Sequence, residues 1–126
     1  MEAAMSAGTT DAKWVYIAGP YTNGDPVRNT RDAIGDAEWF VIEGLVPICP
    51  HLTMLWHLVV EYDRHVEEWY QLDLEYLRRC DCLYRRPGDS TGADREVAFA
   101  QGMGIPVFYS REAVSRWAWE GQDGEA

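Results

Sequence analysis

Lysine is nearly absent from this 126-residue sequence: Lys13 is the only one among 11 basic residues, which face 21 acidic residues for a net charge of −10. A polynucleotide partner needs a basic footprint to meet its phosphates, so none is expected. Cysteine is also scarce, with Cys49, Cys80 and Cys82 an odd number and no Cys-x-x-Cys or His-x-x-x-His pair beside His51, His57 and His65. That spacing argues against a zinc site and for reduced, buried thiols in a reducing cytoplasm. No basic cap precedes an apolar stretch near Met1, and no apolar run is long enough to span a bilayer, so a soluble protein with no membrane partner is expected. The Gly19–Gly24 turn lacks the Lys-Ser or Lys-Thr of a P-loop and the G-x-G-x-x-G of a dinucleotide fold. ATP hydrolysis and NAD binding are thereby disfavoured.

What is present suits one globular domain: 47% hydrophobic and 25% charged residues. The body is expected over residues 13–119, between aperiodic tails at 1–12 and 120–126. Trp14-Val15-Tyr16-Ile17-Ala18 reads as a buried strand ending at Gly19-Pro20. Asp25 as a cap, Pro26 at a first helical position and Ala33, Ala37, Phe40, Val41 and Leu45 at helical spacing give a first helix that weakens at Gly44. Val46–Cys49 is a second strand with Pro47 at its start or on an edge. Helical patterns follow over 54–62 and 66–79, then a strand at 82–84, a loop over 85–91, a helix from about 92 to 101, a strand at 105–109 and a last helix at 111–119. Strands alternating with helices imply right-handed crossovers. The expected fold is an α/β, flavodoxin-like or Rossmann-like three-layer sandwich with about four parallel strands in the order 2-1-3-4. In such sheets ligands bind at the carboxyl ends of the strands, here 19–25, 51–53 and 87–96.

The third of these segments is the richest in chemistry. Ser90-Thr91-Gly92-Ala93 opens a helix with small residues, leaving backbone N–H groups and the positive dipole end free for an anion or a sugar hydroxyl. Glu96, about one turn in, could attack an anomeric carbon and form a glycosyl ester, as retaining glycosidases do. Ser90, Thr91 and Asp94 with Glu96 equally suit plain helix capping. Asp73 lies among Leu72, Leu74 and Tyr76 and is either held for a purpose or part of a solvated face with Glu67, Glu68 and Glu75. Tyr16 reads as a core aromatic beside the ligand face. His51 could bond a ligand or cap the next helix, and Trp56 and His57 could stack on a base or fill the core.

Together, Tyr16-Ile17-Ala18-Gly19-Pro20-Tyr21, Pro50-His51-Leu52-Thr53, Asp73-Leu74 and Ser90-Thr91-Gly92-Ala93-Asp94-Arg95-Glu96 resemble the nucleoside 2-deoxyribosyltransferase superfamily over about residues 14–109, closest to a small, often phage-associated branch. The resemblance implies action on a nucleoside or nucleotide without metal or organic cofactor. It implies Glu96 as nucleophile, Asp73 as the acid assisting the departing base and Tyr16 as a catalytic residue lining the site near the nucleophile and orienting it. It also implies that Ser90 and Gly92 belong to the loop that holds a 5′-phosphate, with Gly19 in the turn beside it, that Pro20, Tyr21, Thr22 and Ala93 bind substrate, and that His51 lies at the base end. A homodimer or higher homo-oligomer is implied as well, with a neighbouring copy lending a residue. Two departures stand out: Asp94 where the superfamily's hydrolases have a second Gly, and no basic residue near Thr22. Either the substrate lacks a 5′-phosphate or Arg95 and Arg28 compensate. The expected activity is cleavage or transfer at an N-glycosidic bond; the alternative is a non-catalytic sensor of the same ligands, in which Glu96, Asp73 and Tyr16 need not meet.

Overall fold

The computed structural model describes residues 11–60 and 64–121. The expected tails therefore lie mostly, and residues 61–63 wholly, outside the described residues. The elements are β1 (Trp14–Ala18), α1 (Pro26–Ile42), β2 (Val46–Ile48), a 3-10 turn (Pro50–Thr53), α2 (Met54–Val59), α3 (Val66–Leu77), β3 (Cys82–Arg85), α4 (Thr91–Gly102), β4 (Val107–Phe108) and α5 (Arg111–Arg116). A π-helical turn, Trp117–Gly121, follows α5. The four strands form one parallel sheet in the order β2-β1-β3-β4, with helices on both sides. That is the flavodoxin-like α/β fold expected from the strand and helix pattern.

Side chains of β1 alternate between the two faces, as the two-residue strand period requires. Val15 and Ile17 join Phe40 of α1, Leu45, Tyr84 of β3 and Val114 of α5 in one core. Tyr16 and Ala18 point the other way, into the core made with Leu74 and Leu77 of α3 and Ala93 and Ala100 of α4. The register of β1 therefore decides which helices Tyr16 can reach. Cys49, Cys80 and Cys82 are free and buried. Burial pushes Cys49 up to about 11 and Cys80 and Cys82 to about 12, well away from reactive thiolates.

Several boundaries differ from the sequence reading. Helix α1 stops at Ile42 because the Gly44 and Leu45 amides turn back onto the Val41 and Phe40 carbonyls, which sends Leu45 into the core. Helix α3 ends at Leu77, two residues early, and α2 at Val59. Strand β4 is shorter than 105–109, beginning only after Pro106, whose carbonyl accepts from Leu83 N–H. Arg85 pairs with Ala18 as strand instead of opening the loop.

Candidate active site

Glu96 sits in the second turn of α4, which starts at the carboxyl end of β3, and is 8% exposed. A helix whose N-cap, Ser90, takes the Ala93 N–H on its own hydroxyl at 3.0 Å has a fixed first turn, and the register of that turn aims Glu96 at the sheet. There the Tyr16 hydroxyl donates to Glu96 Oε2 at 2.7 Å. Desolvation, offset in part by this bond and raised further by the Asp73 charge, pushes Glu96 up to about 7. Burial and the neighbouring Glu96 charge hold Tyr16 well above the ordinary phenol value, so it remains a donor. Asp73 on α3 is raised to about 7 by burial, and its Oδ1 has no hydrogen-bond partner among the described residues. Two carboxyls raised to about 7, one steadied as an anion by Tyr16 and one with a buried oxygen left without a hydrogen bond, differ in their readiness to hold a proton.

Glu96 and Asp73 open into a cavity of about 950 Å³, large enough for a nucleotide-sized ligand. Gly19, Tyr21, Thr22, His51, Ser90, Gly92 and Ala93 line it as well, so the ends of β1, β2 and β3 converge where the strand order reverses. Tyr16 and Pro20 do not line it. Tyr16 bonds Glu96 from behind the cavity wall, and Pro20, expected to bind substrate, is buried beside it. A Cβ at Gly88, where φ is +111°, would come within 2.7 Å of Pro20 Cγ, and one at Gly19 within 2.9 Å of Arg86 Cβ. Only glycines let the two loops close up this far.

The His51 Nε2 lies 2.9 Å from the Pro20 carbonyl, which can only accept, so Nε2 carries the proton. Nδ1 faces Cys49 Sγ at 3.8 Å, and burial holds the ring below the ordinary histidine value. His51 thus ties the β1 loop to the end of β2 while lining the cavity, and it does not cap α2. Asn29 pins the same loop through the Tyr21 and Asn23 carbonyls at 2.9 and 3.0 Å.

Asp94, the residue that departs from the resemblance, turns out of the cavity to Arg85 Nη2 at 2.9 Å. Arg85 is held in turn by the carbonyls of Arg86 and Gly88. The cation that meets Asp94 is Arg85; Arg95 pairs with Glu67 and lines the cavity, and Arg28 does not line it. Sequence reasoning missed Arg85, and it missed Trp69, Tyr70 and Arg64, which all line the cavity. Trp69 and Tyr70 lie four and three residues before Asp73, and this offset places them on the same helix face, a signal available in the sequence. His57 stacks on Trp69 with centroids 3.8 Å apart and planes at 26°, while Tyr21 meets His57 edge-on at 5.9 Å. Trp56 packs edge-on against Trp69 without reaching the cavity. Among the described residues no group of three or more His, Cys, Asp or Glu side chains could hold a metal ion.

A family model described as a domain of unknown function (DUF7768) matches residues 13–110. No curated protein matches the sequence. Solved structures that are similar include a 2-deoxyribosyltransferase from the psychrotolerant bacterium Bacillus psychrosaccharolyticus, a biocatalyst for the synthesis of antiviral and antitumoral nucleosides. It is 24% identical, the match covers 75% of this chain and 69% of that one, and the TM-score is 0.56. At this identity the likeness is one of fold.

Proposed function

We propose, for a chain that belongs to the family described as a domain of unknown function (DUF7768), cleavage or transfer at the N-glycosidic bond of a (deoxy)nucleoside or its 5′-monophosphate. The observation that carries this reading is the buried Glu96, bonded by Tyr16 at 2.7 Å and facing a cavity it shares with Asp73. A sensor would need the cavity but not a nucleophile so prepared. The fold shared with a 2-deoxyribosyltransferase supports the same class of chemistry.

An ionised Glu96 oxygen attacks C1′, and the C1′–N bond pair leaves with the base, which takes a proton from Asp73. A glycosyl ester on Glu96 results. Water or the nitrogen of a second base then attacks C1′, returns the carboxylate and gives its proton to Asp73. Tyr16 favours the anion of Glu96 over that of Asp73, which assigns the nucleophile to the first and the proton to the second. The Trp69–His57 stack and Tyr21 offer faces to the base. The N–H groups at the start of α4 face the sugar and its 5′ substituent. A second copy of the chain is the partner this reading brings with it, checked by sedimentation of the purified protein.

The test is base release from a panel of nucleosides and 5′-monophosphates, with and without an added free base. Release that vanishes in Glu96→Gln supports the reading, and its dependence on added base separates transfer from hydrolysis. Release that survives the substitution unchanged excludes Glu96 as the nucleophile.

A further inference from the structure

One contact at the mouth of the cavity takes no part in the steps above. Arg95 precedes Glu96 on α4 and reaches across to α3, where its guanidinium lies over the Tyr70 ring at 3.8 Å. Its Nη1 and Nη2 address the Oε1 and Oε2 of Glu67, each at 3.4 Å, and Gln71 donates to Glu67 Oε2 at 3.0 Å. Glu67, Tyr70 and Arg95 all border the cavity. An exposed ion pair alone adds little. A two-pronged contact combined with a ring stack at 3.8 Å, however, favours one plane of the guanidinium and ties α3 to α4.

The placement along the two helices gives the contact its meaning. Arg95 is next to Glu96, and Tyr70 is one turn from Asp73, so the clasp joins the parts of α3 and α4 that present the two carboxyls. We infer that Arg95 is a positioning residue whose clasp on Glu67 and Tyr70 sets the separation of Asp73 from Glu96. The groups facing Glu96 are Tyr16 from β1, Asp73 and Tyr70 from α3, and Arg85 from β3. Tyr16 and Glu96 face Asp73 in turn. Arg95 is not among the charges acting on either carboxyl, so its influence runs through spacing and exclusion of water. Burial raises both carboxyls and the Asp73 charge raises Glu96 further, and these effects fall with wetting and with distance. Releasing the clasp lets both carboxyls ionise more easily. Asp73 then loses the proton that the departing base requires.

The kinetic side of this inference rests on the glycosidic reading, while its electrostatic side can be read without turnover. Carboxyl-carbon NMR titration of Asp73 and Glu96 is the primary measurement, made on wild type, Arg95→Gln and Glu67→Gln, with base release followed alongside. In both variants the two titrations move down from neutrality toward the ordinary carboxylate range. kcat falls by about tenfold, a coupling of ordinary size for side chains in contact, while KM stays nearly constant. Arg95→Lys, which keeps the charge but loses the planar fork, restores only part of the shift. The exchanged pair Arg95→Glu with Glu67→Arg restores more. Titrations that stay in place overturn the inference, whether the variants merely melt earlier or instead show a raised KM that marks Arg95 as a substrate contact. Wild-type protein that releases no base overturns the glycosidic reading, and the titrations still decide the clasp.

Discussion

Glu96 and Asp73 are chemically alike, and both titrate near 7, yet their surroundings separate their roles. Tyr16 donates to one of them only. Replacing Tyr16 with Phe removes a bond to the charged form of Glu96, which drives its titration upward. The acidic limb of the pH–rate profile then moves to higher pH, and kcat at neutral pH drops with little change in KM. Asp73→Asn removes the proton donor and lowers kcat by about a hundredfold or more, most severely for poor leaving bases. A base that departs easily without protonation is the control, since it recovers much of the loss. Trp69→Ala, by contrast, strips the ring against which His57 stacks, and raises KM by about tenfold for the loss of one stacked face.

Elements carry these residues, and much of that placement was legible in the chain. The apolar run Trp14–Ala18 marked β1 and placed Tyr16 in it beside the ligand face, and small residues at 90–93 marked the helix start that carries Glu96. The parallel order β2-β1-β3-β4 followed from the alternation of strands and helices. Trp69 was passed over although its offset of four from Asp73 marks a shared face, because the apolar residues spread around that helix drew the reading to packing. Arg85 was hidden for a different reason: its bond to Asp94 depends on a long side chain crossing a loop, which no local period records. His51 was seen at the right place, but its bond to the Pro20 carbonyl was not, because sequence does not tell which acceptor its Nε2–H will find. The loop contact between Gly88 and Pro20 gives a prediction at this scale. Gly88→Ala forces a side chain into positive φ and against Pro20, and should destabilise by about 1–3 kcal/mol in chemical denaturation while also raising KM.

For the whole molecule, two carboxyls raised to about 7 make stability depend on pH. A carboxyl whose folded value exceeds its unfolded value, about 4, binds its proton more tightly when folded. The stability this confers is complete below the unfolded value and is lost as pH rises through 7. The melting temperature should therefore fall between pH 5 and pH 8, and Asp73→Asn should flatten the fall by raising the value at pH 8. Activity follows a different curve from the same two groups: it needs Glu96 ionised and Asp73 protonated, so kcat/KM should be bell-shaped around neutral pH. The net charge of −10 adds that binding of long nucleic acids should be undetectable at physiological salt, in contrast to single nucleosides or nucleotides.

All of these expectations descend from a covalent ester on Glu96, and that species can be trapped. A nucleoside carrying fluorine at the arabino 2′ position disfavours positive charge at C1′, which slows breakdown of the ester once a good leaving base has gone. Intact mass measurement after incubation with such a compound, followed by peptide mapping, reads the outcome. A pentosyl adduct on the peptide bearing Glu96, formed with stoichiometric release of base and absent from Glu96→Gln, is the predicted result. Base released in many turnovers from the unfluorinated nucleoside, with no adduct from its fluorinated counterpart or an adduct on another residue, would contradict it.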